Sequence, residues 1–534
     1  MKFAMKTYAA LLLASTVLLP LQSGLAAAET VLRLDEVAVG ELDPAKATDY
    51  ADSILMFNVY DTLVLSKQGG AGVVPHLAES WTVSDDGKTY TFVLRKDVKF
   101  QSGNPFAAED VAFSLDRMKA LGQGLSYLFA NVEKAEAVDA ATVKFTLTSP
   151  YSPFVSALLR LPIVDKKLVM ENLGAGDGDM KDWGQAYLSS HGGGSGAYKV
   201  VSHNPQEETV MAKSADYFLG VPAKAPDTVR LRYGLEAATV RTLVSQGEHD
   251  ITSQWLPPEV LKALAAGGAQ LLTESGGSGF YVKMNTTKKP LDDVNCRLAL
   301  TYAFDYAAGI KMVAITDTVS QGSPASGPLP VGMFGSLPAS DAYARDLDKA
   351  KQYLSHCKYK PEDFTLELSW VGEVPLEERF ALLMQANFAE IGIKSEVKKI
   401  PWALFSEQVT KPENTPNISQ VFVNAVTGDP DTLIYGMYHS SAAGTWQSPE
   451  YLKDAKVDEL LDKGRTVTSD EERAVAYTEA GKRLRELAPT IFAQDQNSVF
   501  AASSRVSVPA LSDKSKAFGL SGMGFTFRLM EMTE

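Results

Sequence analysis

The chain has 534 residues, of which 45% are hydrophobic and 22% charged, with 51 Lys and Arg against 65 Asp and Glu for a formal charge of −14. This is ordinary globular usage, sufficient for several packed units without staples. The acidic balance excludes a dedicated nucleic-acid binder, which needs a basic patch to neutralise phosphates, and two cysteines exclude a disulfide scaffold, an iron–sulfur protein and a Cys-rich zinc module.

Residues 1–28 read as a cleavable export signal. Lys2 and Lys6 give the positive start, Ala9–Leu19 is an apolar run too short to span a bilayer, and Ala26-Ala27-Ala28 is a small-residue cleavage site. No cysteine stands at that site, so a lipid anchor through cysteine is not available. No later segment is long and apolar enough to cross a membrane. The expected product is exported and soluble.

After the signal, strand and helix patterns alternate, which indicates an α/β protein. Tyr90, Phe92 and Leu94 alternate with Thr89, Thr91 and Val93 and predict a strand. Leu347, Ala350, Tyr353 and Leu354 fall at helical spacing. So do Phe380, Leu383, Met384, Phe388 and Ile391, with Gly392 as the stop. These stripes predict core faces. Glycine clusters at Gly69-Gly70, Gly192–Gly194, Gly267-Gly268 and Gly276-Gly277 read as turns between elements.

Motifs for chemistry fail one by one. The six histidines lack the i, i+4 spacing of a helical zinc pair. Gly87-Lys88-Thr89 ends like a phosphate loop, but Thr82 stands where the first glycine is required. His191-Gly192-Gly193-Gly194 resembles an esterase oxyanion segment, but no G-x-S-x-G elbow accompanies it. Gly192–Ala197 fits G-x-G-x-x-A, yet a strand, Tyr198–Val201, follows where a dinucleotide site needs a helix. Asp177-Gly178-Asp179 opens like a calcium loop that Lys181 and Asp182 then spoil. No metal, cofactor or catalytic group is expected.

A more specific pattern runs along the whole chain. Leu77–Phe100 (LAESWTVSDDGKTYTFVLRKDVKF) and Gly103–Val111 (GNPFAAEDV) are preceded by Asp43-Pro44 and Val59–Leu63. They are followed by Gly196–Val200, Asp216–Phe218, Met284–Thr287, Arg297–Ala303, Asp348–Lys351 and Gly428–Asp431. In this order the segments resemble extracellular solute-binding protein family 5, the peptide/nickel-type binding proteins of ABC importers. The resemblance implies a bilobal periplasmic binding protein of type II with an extra subdomain in the first lobe. It places the main lobe at 29–70, 190–283 and 498–534, the extra subdomain at 71–189 and the second lobe at 284–497. Crossover strands are expected near Val282–Asn285 and Phe492–Asn497.

The implied function is a monomeric, periplasmic, non-enzymatic carrier. It captures a peptide or peptide-like solute between the lobes and delivers it to an ABC-type permease in the inner membrane. An opine, oligosaccharide or metal chelate is the alternative ligand, and an exported hydrolase the remote one. In the family's peptide binders an aspartate pairs with the peptide amine shortly before the G-D-P-D-type segment. Here Val426 falls at that place, and a short alignment gap would move Asp429 into the role. Capping of the following helix is the competing use of Asp429. Trp402 matches a cleft tryptophan of the family, and Trp446, Tyr127 and Tyr50 lie in segments that approach the cleft. Ordinary packing is the alternative for each. Cys296 and Cys357, both in the expected second lobe, form either one disulfide or two buried thiols.

Overall fold

The computed structural model describes residues 29–37 and 39–533. The export signal expected over 1–28 lies outside the described residues. Among those described, no helix is long and apolar enough to cross a membrane.

Three sheets organise the chain. In the first, Val31–Glu36 runs parallel to Thr228–Tyr233, and Glu208–Lys213 and Tyr198–Asn204 continue antiparallel. Inward residues Leu32, Leu34, Val229, Leu231 and Met211 pack beneath the helix Tyr50–Val59. The second is an antiparallel sheet in the order Ala78–Val83, Thr89–Leu94, Thr142–Leu147, Val132–Asp139. Tyr90, Phe92 and Leu94 point into its core while Val93 faces out, as the alternation predicts.

The third sheet has six strands: Gly322–Ser323, Thr490–Ala502, Gln270–Met284, Ile418–Asn424, Thr365–Val371 and Lys394–Ile400. Period-2 alternation splits it cleanly. Phe280, Val282 and Met284 enter one core with Phe380, Met384 and Phe388 of the helix Pro375–Ala389, whereas Tyr281, Val421 and Val423 enter another with Leu433, Leu461 and Tyr477. Both faces are therefore covered by helices. Ile391 is buried but lies beyond the helix it was expected to extend, because the chain turns at Gly392 (φ +83°) into the strand from Lys394.

Two glycine clusters do something other than join elements. Gly194 and Gly196 sit against the backbone of Asn58 and Val59, so closely that a Cβ would collide with main-chain oxygens. Gly276-Gly277 lies inside the long strand Gln270–Met284, with Gly277 at φ +106°. There the pairing with Thr490–Ala502 slips: Gln270–Ser275 pair with Asn497–Ala502, the register breaks, and Gly279–Lys283 pair with Thr490–Asp495. Val282 and Met284 are packed inside the six-stranded sheet.

Cys296 lies in the helix Val294–Ala303, and Cys357 ends the helix Leu347–His356. The two are joined as a disulfide, with Cα atoms 5.0 Å apart and a sequence separation of 61.

Candidate functional site at the lobe seam

The lobes meet along a seam of named contacts. On one side, Tyr151 and Ser152 follow the strand Thr142–Leu147 of the second sheet, and Arg160 ends the short helical turn Leu158–Arg160. Opposite them stand Val426, Asp431 and the end of the helix Ala455–Thr466. The Tyr151 hydroxyl donates to Asp431 Oδ2 at 3.2 Å, and the Ser152 N–H to the Arg465 carbonyl at 2.9 Å. Arg465 holds Asp431 through two bonds of 3.0 and 2.9 Å. Arg160 Nε donates to the Val426 carbonyl, and the Val426 side chain packs against the first-lobe core. These bonds join the segment Tyr151–Arg160 to Val426, Asp431 and Arg465.

Behind Val426 the segment Gly428–Asp431 is turned by Gly428 (φ +72°). Asp429 is 8% exposed, and both its oxygens accept from Arg473 Nη2, at 2.9 and 2.8 Å. Its Oδ1 also accepts from the Asp431 N–H at the start of the helix Asp431–Tyr438. Burial raises its pKa and Arg473 opposes the rise. In this arrangement Asp429 is an interior ion-pair and capping group, with its acceptors already occupied.

Tyr50, the first residue of its helix, is half-buried between Phe500 and Phe525, and its hydroxyl donates to Glu274 Oε2 at 2.8 Å. Glu274 also accepts from the N–H groups of Gly522 and Gly524. Burial raises its pKa against these donors, and burial with Asp35 and Asp49 nearby holds Glu36 well above the ordinary carboxylate range. Tyr127 is 58% exposed, an unusual position for a large ring. Trp402 is 40% exposed and meets Trp446 edge-to-face at 5.5 Å.

Thus Tyr50 packs against the core beneath the helix Tyr50–Val59, Tyr127 stands exposed on the turn Ser126–Phe129, Trp402 and Trp446 form one aromatic pair, and Asp429 lies in the interior. Sequence reasoning missed Glu274, Arg160, Tyr151 and Arg465. None of them belongs to a local motif, and their partners are far away in the chain: 224 residues for Glu274 with Tyr50 and 266 for Arg160 with Val426.

The profile described as bacterial extracellular solute-binding proteins, family 5 Middle, matches residues 72–445. A probable D,D-dipeptide-binding periplasmic protein of Escherichia coli is 27% identical, covering 87% of this chain and 88% of that protein. Among solved structures, an ABC transporter substrate binding protein from Listeria monocytogenes superposes with a TM-score of 0.80 at 23% identity, covering 95% of this chain and all of that one. A periplasmic binding protein from Helicobacter pylori in complex with the peptide STSA gives 0.75 at 25% identity, over 94% and 98% of the respective chains. The architecture is that of a bilobal periplasmic binding protein.

Proposed function

Since the chain belongs to the bacterial extracellular solute-binding proteins of family 5, we propose that it captures a peptide or peptide-like solute between its lobes and hands it to an ABC-type permease in the inner membrane. The observation that carries this reading is a seam of long-range bonds in a fold shared with a peptide-bound relative. The carrier works as a monomer in the periplasm, after removal of residues 1–28. It releases its ligand unchanged, since no nucleophile and base are aligned in any motif of the sequence.

The hinge runs through Ser275–Gly279 and Asp495–Asn497, where the two long strands change register. The extra subdomain remains at 71–189, with the second lobe following the hinge. Trp402 and Trp446 cover ligand faces from the second lobe, and Tyr50 and Tyr127 from the first. Rigid aromatic rings suit such contacts because they lose little entropy on binding. A non-peptide ligand is the second reading. It is favoured by Val426, which offers no carboxylate to a peptide amine.

A thermal-shift screen of peptides, opines, oligosaccharides and metal chelates tests the carrier role, because a ligand that binds only the folded form raises Tm by mass action. Mass spectrometry of the bound ligand after incubation is expected to return it intact. Turnover into product at catalytic rates would overturn the reading.

A further inference from the structure

We propose that the cavity enclosed by Asp61, His76, Tyr217 and Arg528 is a site for a small monovalent anion, of halide or formate size, which pins the C-terminal segment to the rest of the protein. Every residue that lines it falls within 57–76 or 518–529, apart from Tyr217. None belongs to the six-stranded sheet or to the seam at Val426 and Asp431, so the site does not depend on which solute is carried.

The cavity holds about 30 Å³, which is room for a water-sized species or two and not for a peptide. Phe57, Phe518 and Leu529 make much of its wall apolar. Its charged lining groups are Asp61, His76 and Arg528. Asp61 is fully engaged. His76 Nε2 lies 2.7 Å from its Oδ1, the Tyr217 hydroxyl donates to the same oxygen at 3.0 Å, and Ser195 Oγ donates to Oδ2 at 2.7 Å. Burial, with Asp61 adding to it, raises the pKa of Tyr217, so its hydroxyl keeps the proton it donates. Arg528 is half-buried with its Cζ 5.7 Å from the centre of the Tyr217 ring. Among the described residues no carboxylate lies within ion-pair distance of it, although Arg465 and Arg473 each have one.

The charges on the wall therefore do not cancel. A protonated His76 balances Asp61, and the charge left over is that of Arg528. A cation beside an apolar-walled cavity is poorly solvated, and an anion small enough to enter relieves it better than a neutral water does. The protonated imidazole offers a second donor, because Nδ1 of His76 bonds to no described residue. His76 directly follows the strand Val73–Pro75, which pairs with Val64–Ser66, whereas Arg528 lies near the end of the chain. An anion held between them joins those two regions, and through mass action it stabilises the folded state.

The test compares sodium gluconate, whose anion is too large for the cavity, with sodium chloride, bromide and formate at equal ionic strength. The pH is held at about 6, where an ordinary imidazole is largely charged. Replacing gluconate by any of the three small anions should raise the Tm of the wild type by about 2 °C or more, with saturation. Arg528→Gln should lose that rise and Arg528→Lys keep part of it. Wild-type crystals soaked in bromide should show an anomalous peak inside the cavity, beside Arg528 and His76. A Tm that does not respond, a rise that a folded Arg528→Gln retains, or a cavity holding water alone in the bromide-soaked crystals overturns the anion site. The bromide experiment uses wild-type protein, so it decides the matter even if the variants fail to fold, and each of these outcomes leaves the carrier reading where it stands.

Discussion

Arg473 and Arg160 serve a segment only a few residues long, one from behind and one from in front, and they are treated differently. Behind Gly428–Asp431, Arg473 meets both oxygens of Asp429, and each side chain is 7% exposed. In front, Arg160 reaches the carbonyl of Val426 and finds no acid. The first region is a paired and largely buried one. Complete pairs hold a fold together and register its segments, whereas the unpaired guanidinium of Arg160 joins two segments through a backbone carbonyl alone.

The strongest way to break this contrast is to remove Asp429. Asp429→Ala leaves Arg473 buried without its partner, and losses of this kind are about 3–5 kcal/mol. Urea denaturation should show that drop, with binding intact in whatever remains folded. A variant of normal stability that no longer binds would instead make Asp429 a ligand group. The disulfide offers a control remote from both. Replacing Cys296 and Cys357 by Ser opens a loop of 61 residues' separation and should cost roughly 2–4 kcal/mol, chiefly through the unfolded state. Binding should be unchanged, since the bridge joins the two neighbouring helices Val294–Ala303 and Leu347–His356. If affinity falls as far as stability, the bridge communicates with the seam.

Trp402 sharpens the contrast on the binding side. At 40% exposure it contributes little to the core, and its neighbour Trp446 remains to cover the same surface. Trp402→Ala should weaken binding of the solute found in the screen by about 2 kcal/mol, measured by calorimetry, and change stability by less than about 1 kcal/mol. The reverse pattern, a large loss of stability at full affinity, would reclassify it as packing.

What could be read from the sequence follows the range of the interactions. The strand Thr89–Leu94 and the helices Leu347–His356 and Pro375–Ala389 were legible because burial repeats within a few residues. The family segments supplied the bilobal architecture. Gly276-Gly277 was misread as a turn because the residues on either side continue one strand, and only its partner strand reveals the slip in register. Asp429 had two local readings, and Arg473, 44 residues onward, decides how its oxygens are used. Arg160 carried no signal: nothing adjacent to it in the chain says that it reaches the Val426 carbonyl.

Glu377 extends the comparison to a buried acid with neither a cation nor a ligand. It is 2% exposed, in the first turn of its helix, and accepts from the Val371 N–H at 2.7 Å. Burial, with Glu373 adding to it, pushes its pKa from the ordinary 4.5 up to about 8. The folded state therefore holds a proton that the unfolded state releases between those values. Its stabilising effect is full below about 4.5 and is lost as pH rises through 8, at up to about 1.4 kcal/mol per pH unit for one proton. Glu450 and Asp495, each raised to about 7 by burial, tilt the curve the same way. Urea midpoints should accordingly fall between pH 5 and pH 8. Glu377→Gln keeps an acceptor oxygen for Val371 but cannot ionise. Its curve should match the wild type near pH 5 and lie above it at pH 8. Parallel curves would mean that Glu377 is ionised at neutral pH, and that a sealed acid in this protein can stay charged without the partner that Asp429 requires.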